Sequence, residues 1–397
     1  MRLAIVNHLG DVGAGAEHAL LQYLVRLPAH VEPRFFFFED GAFAQSMRER
    51  FGAVTIVPMS PRVAAVKRSA LPIHALADSI WLTLRLRAKL SEARPDMVLT
   101  NTMKAHIIGS LAAKLAGLPC VNYIHDIVNG PALEMLRTVS RTCAVERVTC
   151  SQTAAVNLRL PRTTPVYAPI ETALFRELPE RRAARSALGL PADDLPVVAV
   201  VGRIARWKGQ DRFIRIAIDV LRDTPAHFAI VGSPIFGCDA DYVSELMAAA
   251  VAAGCSHRIH FVPWQADMRN VYAAIDVACN TSTREPFGRT SLEALASGVP
   301  VVCFDDAGIC EIFAGEPAGT PVPAGDERAF ARAVRSYLVD EQFAARAKER
   351  ARFIAEPLDI ANAYRAFADV IERVGMPAAA RPADATPLVQ TTSSFPR

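Results

Sequence analysis

Residues 285–302 read EPFGRTSLEALASGVPVV, and their pattern predicts a loop, a helix and a strand in that order. Thr290 or Ser291 can cap the helix. Gly298 can close it, and Pro300 prevents its continuation. The short apolar run that includes the proline is typical of a buried strand. Buried strands that alternate with helices build a parallel sheet covered on both faces, so this stretch predicts an α/β fold.

The same alternation runs along the rest of the chain. Short apolar runs predict strands at 2–7, 34–38, 53–57, 96–100, 120–124, 146–150, 196–201, 227–231, 258–262, 276–279 and 300–304. Segments of helical period are found at 16–27, 72–92, 104–116, 151–158, 209–222, 326–338, 341–355 and 357–374. In parallel sheets of this kind, ligands bind outside the carboxyl ends of the strands, so polar residues that follow strands are candidates for a site.

The alternation breaks near residues 160–195, which are rich in proline and charge. This break and the length of 397 residues predict two domains, at 1–168 and 169–356. Residues 357–375 form a last predicted helix. Residues 376–397 have no apolar period and are predicted to be disordered. We therefore predict two Rossmann-like, doubly wound domains that face each other across a cleft.

Composition limits the classes of protein that fit the chain. It is 51% hydrophobic and 21% charged, which is typical of a globular protein, and its net charge of +3 does not favour nucleic acid as a partner. The 8 cysteines are scattered without a C-x-x-C pair, so we expect free thiols in a reducing cytoplasm. No run has the length needed to span a bilayer. We expect a cytoplasmic protein.

Two carboxylates flank the predicted helix start. Glu285 lies in the loop before the helix, and Glu293 lies in its first turns. The amides of Gly288, Arg289 and Thr290 are then donors without an intrahelical acceptor, and such donors suit an anionic ligand. Because carboxylates bind hydroxyl groups, a phosphate between two carboxylates indicates a sugar-phosphate compound.

A second candidate site follows the strand at 196–201. In the stretch VGRIARWKGQD, Gly202 permits a tight turn, and Arg203 and Lys208 lie on a loop that leads into a helix. Two cations near a helix start can clamp a diphosphate without a metal ion, although two solvated surface cations give the same pattern. Downstream, VGSP at 231–234 repeats the strand–glycine turn. Trp264 is either a platform for a nucleotide base or a half-buried anchor.

Together, these motifs resemble a known family. VGRIARWKG, VGSP and DVACNTSTREPFGRTSLEALASGVPVV occur in the order typical of the C-terminal domain of family 4 retaining glycosyltransferases, which have the GT-B fold. The resemblance covers residues 1–375. It implies that the C-terminal helix crosses back to the N-terminal domain, that the N-terminal domain binds an acceptor, and that the C-terminal domain binds a nucleotide-sugar donor.

The resemblance implies roles for individual residues. Arg203 and Lys208 would hold the donor diphosphate, Glu285 would contact the hydroxyls of the sugar ring, and Glu293 would bind the ribose hydroxyls. The amides near Phe287 and Gly288 would face the phosphates. Further donor contacts are implied for Gly15, Gly202, Gly232, Arg289 and Thr290.

The N-terminal half is similar to the family in two places. In GDVGAGAEHAL (10–20), Gly15 and Glu17 match the family's Gly-Gly-x-Glu loop on the acceptor side, whereas Ala14 replaces the first of its glycines. His125 follows the strand at 120–124, where the family commonly has a histidine that touches the donor sugar; a structural role is the alternative. Pro286 also departs from the pattern, because the family often has glycine there.

The resemblance implies a retaining, metal-independent hexosyltransferase. It would use a UDP- or GDP-sugar and a glycan or lipid-linked acceptor, in bacterial polysaccharide or glycolipid synthesis. The chain has no Asp-x-Asp at a strand end to hold a metal ion, so we expect no cofactor. Two alternatives remain: a catalytically inactive GT-B protein that binds nucleotide or glycan, and a nucleotide-sugar epimerase of the same fold.

The segment 59–94 is basic and carries apolar residues on a predicted helix, among them Trp81 and Leu84. This composition fits a peripheral contact with the cytoplasmic face of the inner membrane, where a lipid-linked acceptor would lie. An ordinary covering helix with a solvated basic side fits equally well.

Overall fold

The computed structural model describes residues 1–11, 15–66, 75–234, 239–306, 308–313 and 316–376. These residues divide into two compact units. The first is Met1–Ala168 together with the segment that begins at Asn362, and the second is Pro169–Ala361. Ala14, the predicted disordered tail from position 377 onward and the middle of the basic segment 59–94 lie outside the described residues.

A parallel sheet organises the first unit. Its strands are β1 (Arg2–Asn7), β2 (Glu32–Phe37), β3 (Val54–Ile56), β4 (Met97–Thr100), β5 (Cys120–Ile124), β6 (Glu146–Thr149) and β7 (Thr163–Pro165). Among the described residues, these seven strands pair in the order β3-β2-β1-β4-β5-β6-β7, and every pairing is parallel. The strand order reverses at β1, which pairs with β2 on one side and with β4 on the other, as in a Rossmann-like domain.

Helices cover this sheet and bury its apolar side chains. They are α1 (Gly15–Leu24), α2 (Ala42–Phe51), α3 (Pro61–Ala64), α4 (Leu76–Ala93), α5 (Met103–Leu115), α6 (Gly130–Cys143) and α7 (Gln152–Leu158). One core cluster joins Val6, Phe36 and Val98 of the sheet to Leu86 of α4 and Ile108 of α5. Removing this apolar surface from water is the main favourable contribution to the folding of the unit.

The second unit repeats the architecture. Its strands are β8 (Val197–Val201), β9 (His227–Val231), β10 (Ile259–Val262), β11 (Val277–Asn280), β12 (Val301–Phe304) and β13 (Gly319–Val322). In the part of the chain that the structure describes, they pair in parallel in the order β10-β9-β8-β11-β12-β13. Its helices are α8 (Arg181–Ala187), α9 (Gln210–Val220), α10 (Ala240–Ala252), α11 (Met268–Ala274), α12 (Arg289–Ala296), α13 (Cys310–Phe313), α14 (Glu327–Val339) and α15 (Glu341–Ala355).

The last helix, α16 (Ile360–Gly375), belongs to the first unit from Asn362 onward. Phe367 stacks on Tyr23 of α1 with ring centroids 4.4 Å apart. Arg373 pairs with Glu146 at the start of β6. The chain therefore returns to the first unit, and the prediction of two Rossmann-like domains of an α/β protein is confirmed.

Two strands escaped the sequence analysis. β7 (Thr163–Pro165) lies in the proline-rich stretch, and β13 (Gly319–Val322) contains a glycine and a proline. Both are short edge strands, where a missing backbone donor is tolerated. Neither forms the continuous apolar run by which central strands are recognised.

Candidate functional site

The candidate donor residues lie at the carboxyl edge of the second sheet. β8 pairs with β9 on one side and with β11 on the other, so the strand order reverses at β8. Such a reversal opens a crevice beyond the strand ends, which is where ligands bind in open α/β sheets. Arg203 and Lys208 follow β8, and Glu285 follows β11. The topology therefore brings together residues that are far apart in the sequence.

Two glycine turns shape this edge. The Gly202 amide donates to the carbonyl of Val231 over 2.9 Å, which ties the turn after β8 to the end of β9. A Cβ at Gly232 would lie 2.0 Å from the Gly202 carbonyl oxygen, so the two turns touch backbone to backbone. Only glycine fits at position 232 under this contact. The two glycines thus hold the turns after β8 and β9 together at this edge of the sheet.

Lys208 and Glu285 form an ion pair at this edge. The Lys208 Nζ lies 2.5 Å from Glu285 Oε2, and the side chains are only 18% and 9% exposed. The Thr281 hydroxyl donates to the Lys208 carbonyl over 3.1 Å, which fixes the turn that carries the lysine. Lys208 is therefore not a solvated surface cation. Its charge is held beside a carboxylate in a largely water-excluded place, where electrostatic interactions are strong.

Trp207 joins the two predicted phosphate-binding cations. Its ring centroid lies 4.3 Å from the Lys208 Nζ and 5.8 Å from the Arg203 Cζ. These distances permit cation–π attraction to both side chains. The three residues and Glu285 thus form one cluster, which we call the cation cluster: Arg203, Trp207, Lys208 and Glu285.

The start of α12 differs from the prediction in its cap. Gly288 is the N-cap, with a left-handed φ of 96°, so the expected caps Thr290 and Ser291 are wrong. The Thr290 hydroxyl instead donates to the Val201 carbonyl over 3.0 Å, which fastens the helix to β8. The Ser291 amide donates to the Gly288 carbonyl, which leaves the preceding amides of Arg289 and Thr290 in the first turn without an intrahelical acceptor.

Glu293 is held in place by two neighbours. Its Oε2 lies 2.9 Å from the Tyr272 hydroxyl, and its Oε1 lies 3.7 Å from the Arg289 Nη2. Burial raises the pKa of Glu293, and the charge of Arg289 and the tyrosine hydroxyl oppose that rise. An oriented carboxylate of this kind is suited to accept hydrogen bonds from hydroxyl groups.

The loop between Glu285 and Gly288 is packed tightly. Phe287 is 2% exposed, so its side chain belongs to the core. The Gly308 amide donates to the Glu285 carbonyl over 2.9 Å. A Cβ at Gly308 would lie 2.3 Å from the Pro286 carbonyl oxygen. The segment after β12 therefore supports the loop that carries Glu285.

The remaining predicted residues belong to the first unit. His125 follows β5, and its Nε2 lies 2.9 Å from the Oδ1 of Asn101, the residue that follows β4. Gly15 is the first residue of α1, and Glu17 in its first turn is only 1% exposed. These three residues are not in the same unit as the cation cluster.

Several residues at these sites were missed by the sequence analysis. Tyr272 lies in a helix with no motif, yet it positions Glu293. Asn101 could have been found, because it directly follows β4 beside the reversal in strand order.

One interpretation of Trp264 is wrong. The residue is 64% exposed, so it is not a half-buried anchor.

A cavity of about 600 Å³ lies elsewhere in the second unit. Its lining includes Arg181 and Lys348, which both pair with the carboxylate of Asp276. Asp276 also accepts the amide of Val197 at the start of β8, so the cavity lies at the opposite, amino-terminal edge of the sheet. None of the predicted site residues lines it.

Comparisons with known proteins point to one family. Residues 181–353 match the model described as "Glycosyl transferases group 1". The chain is 32% identical over 297 residues to a D-inositol 3-phosphate glycosyltransferase of Saccharomonospora viridis, which covers 68% of each protein. It is 34% identical over 195 residues to the lipopolysaccharide core biosynthesis mannosyltransferase LpsB of Rhizobium meliloti, which covers 48% of this chain and 54% of LpsB.

Solved structures show the same fold. Anabaena HepE in complex with UDP and glucose matches with a TM-score of 0.79 and 25% identity, over 94% of this chain and 99% of HepE. WaaG, a glycosyltransferase involved in lipopolysaccharide biosynthesis, matches with a TM-score of 0.70 and 16% identity over 93% of this chain and 99% of WaaG. The sequence alignment with LpsB, in contrast, spans only about half of that mannosyltransferase.

Proposed function

Because the chain belongs to the group 1 glycosyltransferase family, we propose that it transfers a hexosyl unit from a UDP- or GDP-sugar to a glycan or a lipid-linked acceptor, with retention of configuration. The observation that carries this proposal is the cation cluster beside the start of α12, at the reversal of strand order. It places positive charge, helix-start amides and a carboxylate within one crevice.

Each part of a nucleotide sugar finds a complementary group. Arg203, Lys208 and the amides of Arg289 and Thr290 would bind the diphosphate. Glu285 would accept hydrogen bonds from the sugar, and Glu293 would accept them from the ribose. HepE was solved with UDP-glucose and is 24% identical, a likeness that supports the fold. A bound diphosphate would compete with Glu285 for Lys208 and free the carboxylate for the sugar.

The residues favour a mechanism based on charge. Cleavage of the donor places negative charge on the β-phosphate, and preorganised cations and amides stabilise it. In the proposed reaction, the acceptor attacks from the face that the phosphate leaves, and the phosphate takes the acceptor proton. Glu285 is then a positioning residue for the sugar, and no metal ion is required. By the family resemblance, His125 would touch the donor sugar and Glu17 would serve the acceptor side.

A thermal-shift panel tests the donor site. We expect UDP or GDP, but not the corresponding nucleoside, to raise the melting temperature, because a ligand that binds only the native state stabilises it by mass action. At a hundredfold excess over Kd the gain is about 2.7 kcal/mol. Glu293→Ala should abolish the preference for a nucleoside diphosphate over its deoxyribose analogue, because Glu293 would contact the ribose hydroxyls.

The control is Glu245→Ala, which removes an exposed carboxylate that pairs with Arg206. It should leave the shift unchanged. If no nucleoside diphosphate at millimolar concentration stabilises the wild-type protein, the assignment of the donor site is wrong.

The products formed from a nucleotide sugar separate the candidate functions. Release of free sugar and nucleoside diphosphate would indicate transfer chemistry. A changed sugar still attached to the nucleotide would indicate an epimerase, and binding without either product would indicate an inactive protein.

The acceptor side of the proposal includes a membrane surface. Four large apolar residues of α4 are between 49% and 59% exposed to solvent: Leu76, Ile80, Trp81 and Leu84. The Arg85 guanidinium lies 4.4 Å from the Trp81 ring centroid, which places a cation beside the apolar face. Such a helix can lie in the interface of an anionic bilayer. Among the described residues, no helix is both long and apolar enough to cross a membrane.

Vesicle sedimentation tests the membrane contact. Replacing Ile80, Trp81 and Leu84 together by serine should weaken binding to phosphatidylglycerol-containing vesicles at least tenfold, because each buried apolar side chain contributes about 1.5–3 kcal/mol. The control replaces Val251 and Phe353 of the second unit, which are 66% and 60% exposed, by serine. If α4 is an ordinary solvated helix, both variants will sediment with the vesicles as the wild type does.

A further inference from the structure

Two cysteine sulfurs meet beside the donor loop. Cys303 lies in β12 and is fully buried, whereas Cys310 opens α13 and is half-buried. Their Sγ atoms are 3.1 Å apart. We propose that this dithiol is a redox modification site: a low-molecular-weight disulfide oxidises it to an intramolecular disulfide, and the disulfide weakens donor binding.

The segment between the two cysteines touches the loop that carries Glu285. The Gly308 amide donates to the Glu285 carbonyl over 2.9 Å, and the Asp306 carboxylate accepts the Arg284 amide over 3.2 Å. A Cβ at Gly308 would lie 2.3 Å from the Pro286 carbonyl oxygen, so backbone meets backbone here without spare room. A movement of this segment therefore shifts Glu285.

Disulfide formation requires such a movement. The sulfur atoms of a disulfide are about 2.05 Å apart, so the two thiols must approach by about 1 Å. Cys303 is held in a central strand between β11 and β13, whereas Cys310 begins a helix of only four residues. The start of α13 is therefore the side that moves, and the segment after β12 moves with it.

The chemistry is a thiol–disulfide exchange in two steps. The Cys310 thiolate attacks a glutathione disulfide, forms a mixed disulfide and releases one glutathione thiolate. Cys303 then loses its proton and attacks the Cys310 sulfur, which releases the second glutathione thiolate. Two cysteine thiols are oxidised by two electrons in total, and one glutathione disulfide is reduced to two glutathione molecules.

The surroundings of the two thiols set their order of reaction. Cys310 is the more exposed, so a small disulfide reaches it first. Burial and the neighbouring Cys310 raise the pKa of the Cys303 thiol, so Cys303 reacts poorly with molecules in solution. It is nevertheless in contact with Cys310, and proximity within the protein offsets its low fraction of thiolate.

Mass spectrometry tests the modification independently of any ligand. Residues 290–328 contain both cysteines and no internal lysine or arginine, so trypsin releases the pair in one peptide. After treatment with glutathione disulfide and alkylation, the peptide should carry no alkyl groups and weigh two hydrogen atoms less than the thiol form. Cys303→Ala and Cys310→Ser should each retain a single thiol and form a mixed disulfide at most. Two alkylated thiols in the treated wild-type peptide would overturn the proposal.

The effect on binding rests on the proposed function and has its own measurement. The oxidised protein should bind the stabilising nucleoside diphosphate about fivefold more weakly or worse, the lower end of coupling between two sites. Dithiothreitol should restore the affinity, and Cys310→Ser should be insensitive to the oxidant. Cys143→Ser, which removes a half-buried thiol of the first unit, should respond as the wild type does.

Two results separate the claims. A disulfide that leaves the affinity unchanged would overturn the coupling to the donor loop. A failure of the reduced wild-type protein to bind any nucleoside diphosphate would overturn the proposed function, while the peptide mass still decides whether the disulfide forms. Cys310→Ser is the variant of choice because its side chain is not in the core, so it should fold even if Cys303→Ala does not.

Discussion

Replacing Lys208 by methionine should lower kcat for sugar transfer by about 10²- to 10³-fold, the usual effect of removing one preorganised group that stabilises charge in the transition state. Methionine fills much of the space of the lysine side chain but carries no charge. The loss should appear in kcat more than in KM, because the charge on the leaving phosphate grows during bond cleavage. Steady-state rates with the donor identified by thermal shift give this result.

The same variant also removes the partner of a buried carboxylate. The Glu285 side chain is 9% exposed, and breaking a buried ion pair by removing one member costs about 3–5 kcal/mol of folding free energy. A lower rate could therefore reflect partial unfolding rather than lost catalysis. The double variant Lys208→Met, Glu285→Gln removes both charges, so it should regain most of the stability and none of the activity. Chemical denaturation beside the kinetic assay separates the two effects.

A matched control lies on the same turn. Arg206 is two residues away, is 59% exposed and pairs with Glu245 over 2.6 Å. Exposed ion pairs are screened by water and contribute little to stability, so Arg206→Met should leave kcat and stability nearly unchanged. If Lys208→Met were as active as Arg206→Met, the cation cluster would have no catalytic role, and the proposed mechanism would fail with it.

The fold could be predicted from the sequence because consecutive residues are enough to identify each central strand and the helix beside it. Each central strand is a short apolar run, and the stretch from Thr290 to Val302 shows a complete helix-to-strand unit in consecutive residues. Parallel sheets are buried on both faces, so their strands stand out from the helices around them. The edge strands at 163–165 and 319–322 are only partly buried, and their polar residues and prolines conceal them.

The candidate site was predictable in its residues but not in its contacts. Motifs identified Lys208 and Glu285 separately, each with its own role. Their ion pair joins residues 77 positions apart, and only the order of the strands brings them together. The same reason hid Tyr272, whose hydroxyl meets Glu293 from a helix without a motif. Local propensity also misassigned the helix cap, because the Thr290 hydroxyl is engaged by β8.

The second large effect is expected from Glu285→Gln, which should lower kcat/KM about 10- to 100-fold. This range corresponds to the loss of a hydrogen bond to a charged group, worth about 1.5–3 kcal/mol. Glutamine has nearly the shape of glutamate, and its side-chain oxygen can still accept from the Lys208 ammonium, so the fold should be retained. What it loses is the negative charge that the sugar hydroxyls would contact.

The pH dependence of this variant decides what Glu285 does. If the carboxylate only positions the sugar, the kcat–pH profile of Glu285→Gln should keep the shape of the wild-type profile at a lower level. If it carried a proton in the reaction, the variant would lose one limb of that profile, because the titrating group is gone. Glu245→Gln is the control, since its carboxylate is 54% exposed and pairs with Arg206 outside the cation cluster. An unchanged shape would mean that Glu285 binds the sugar and carries no proton. The acceptor proton would then pass to the leaving phosphate, and Lys208 would stabilise the charge on that phosphate.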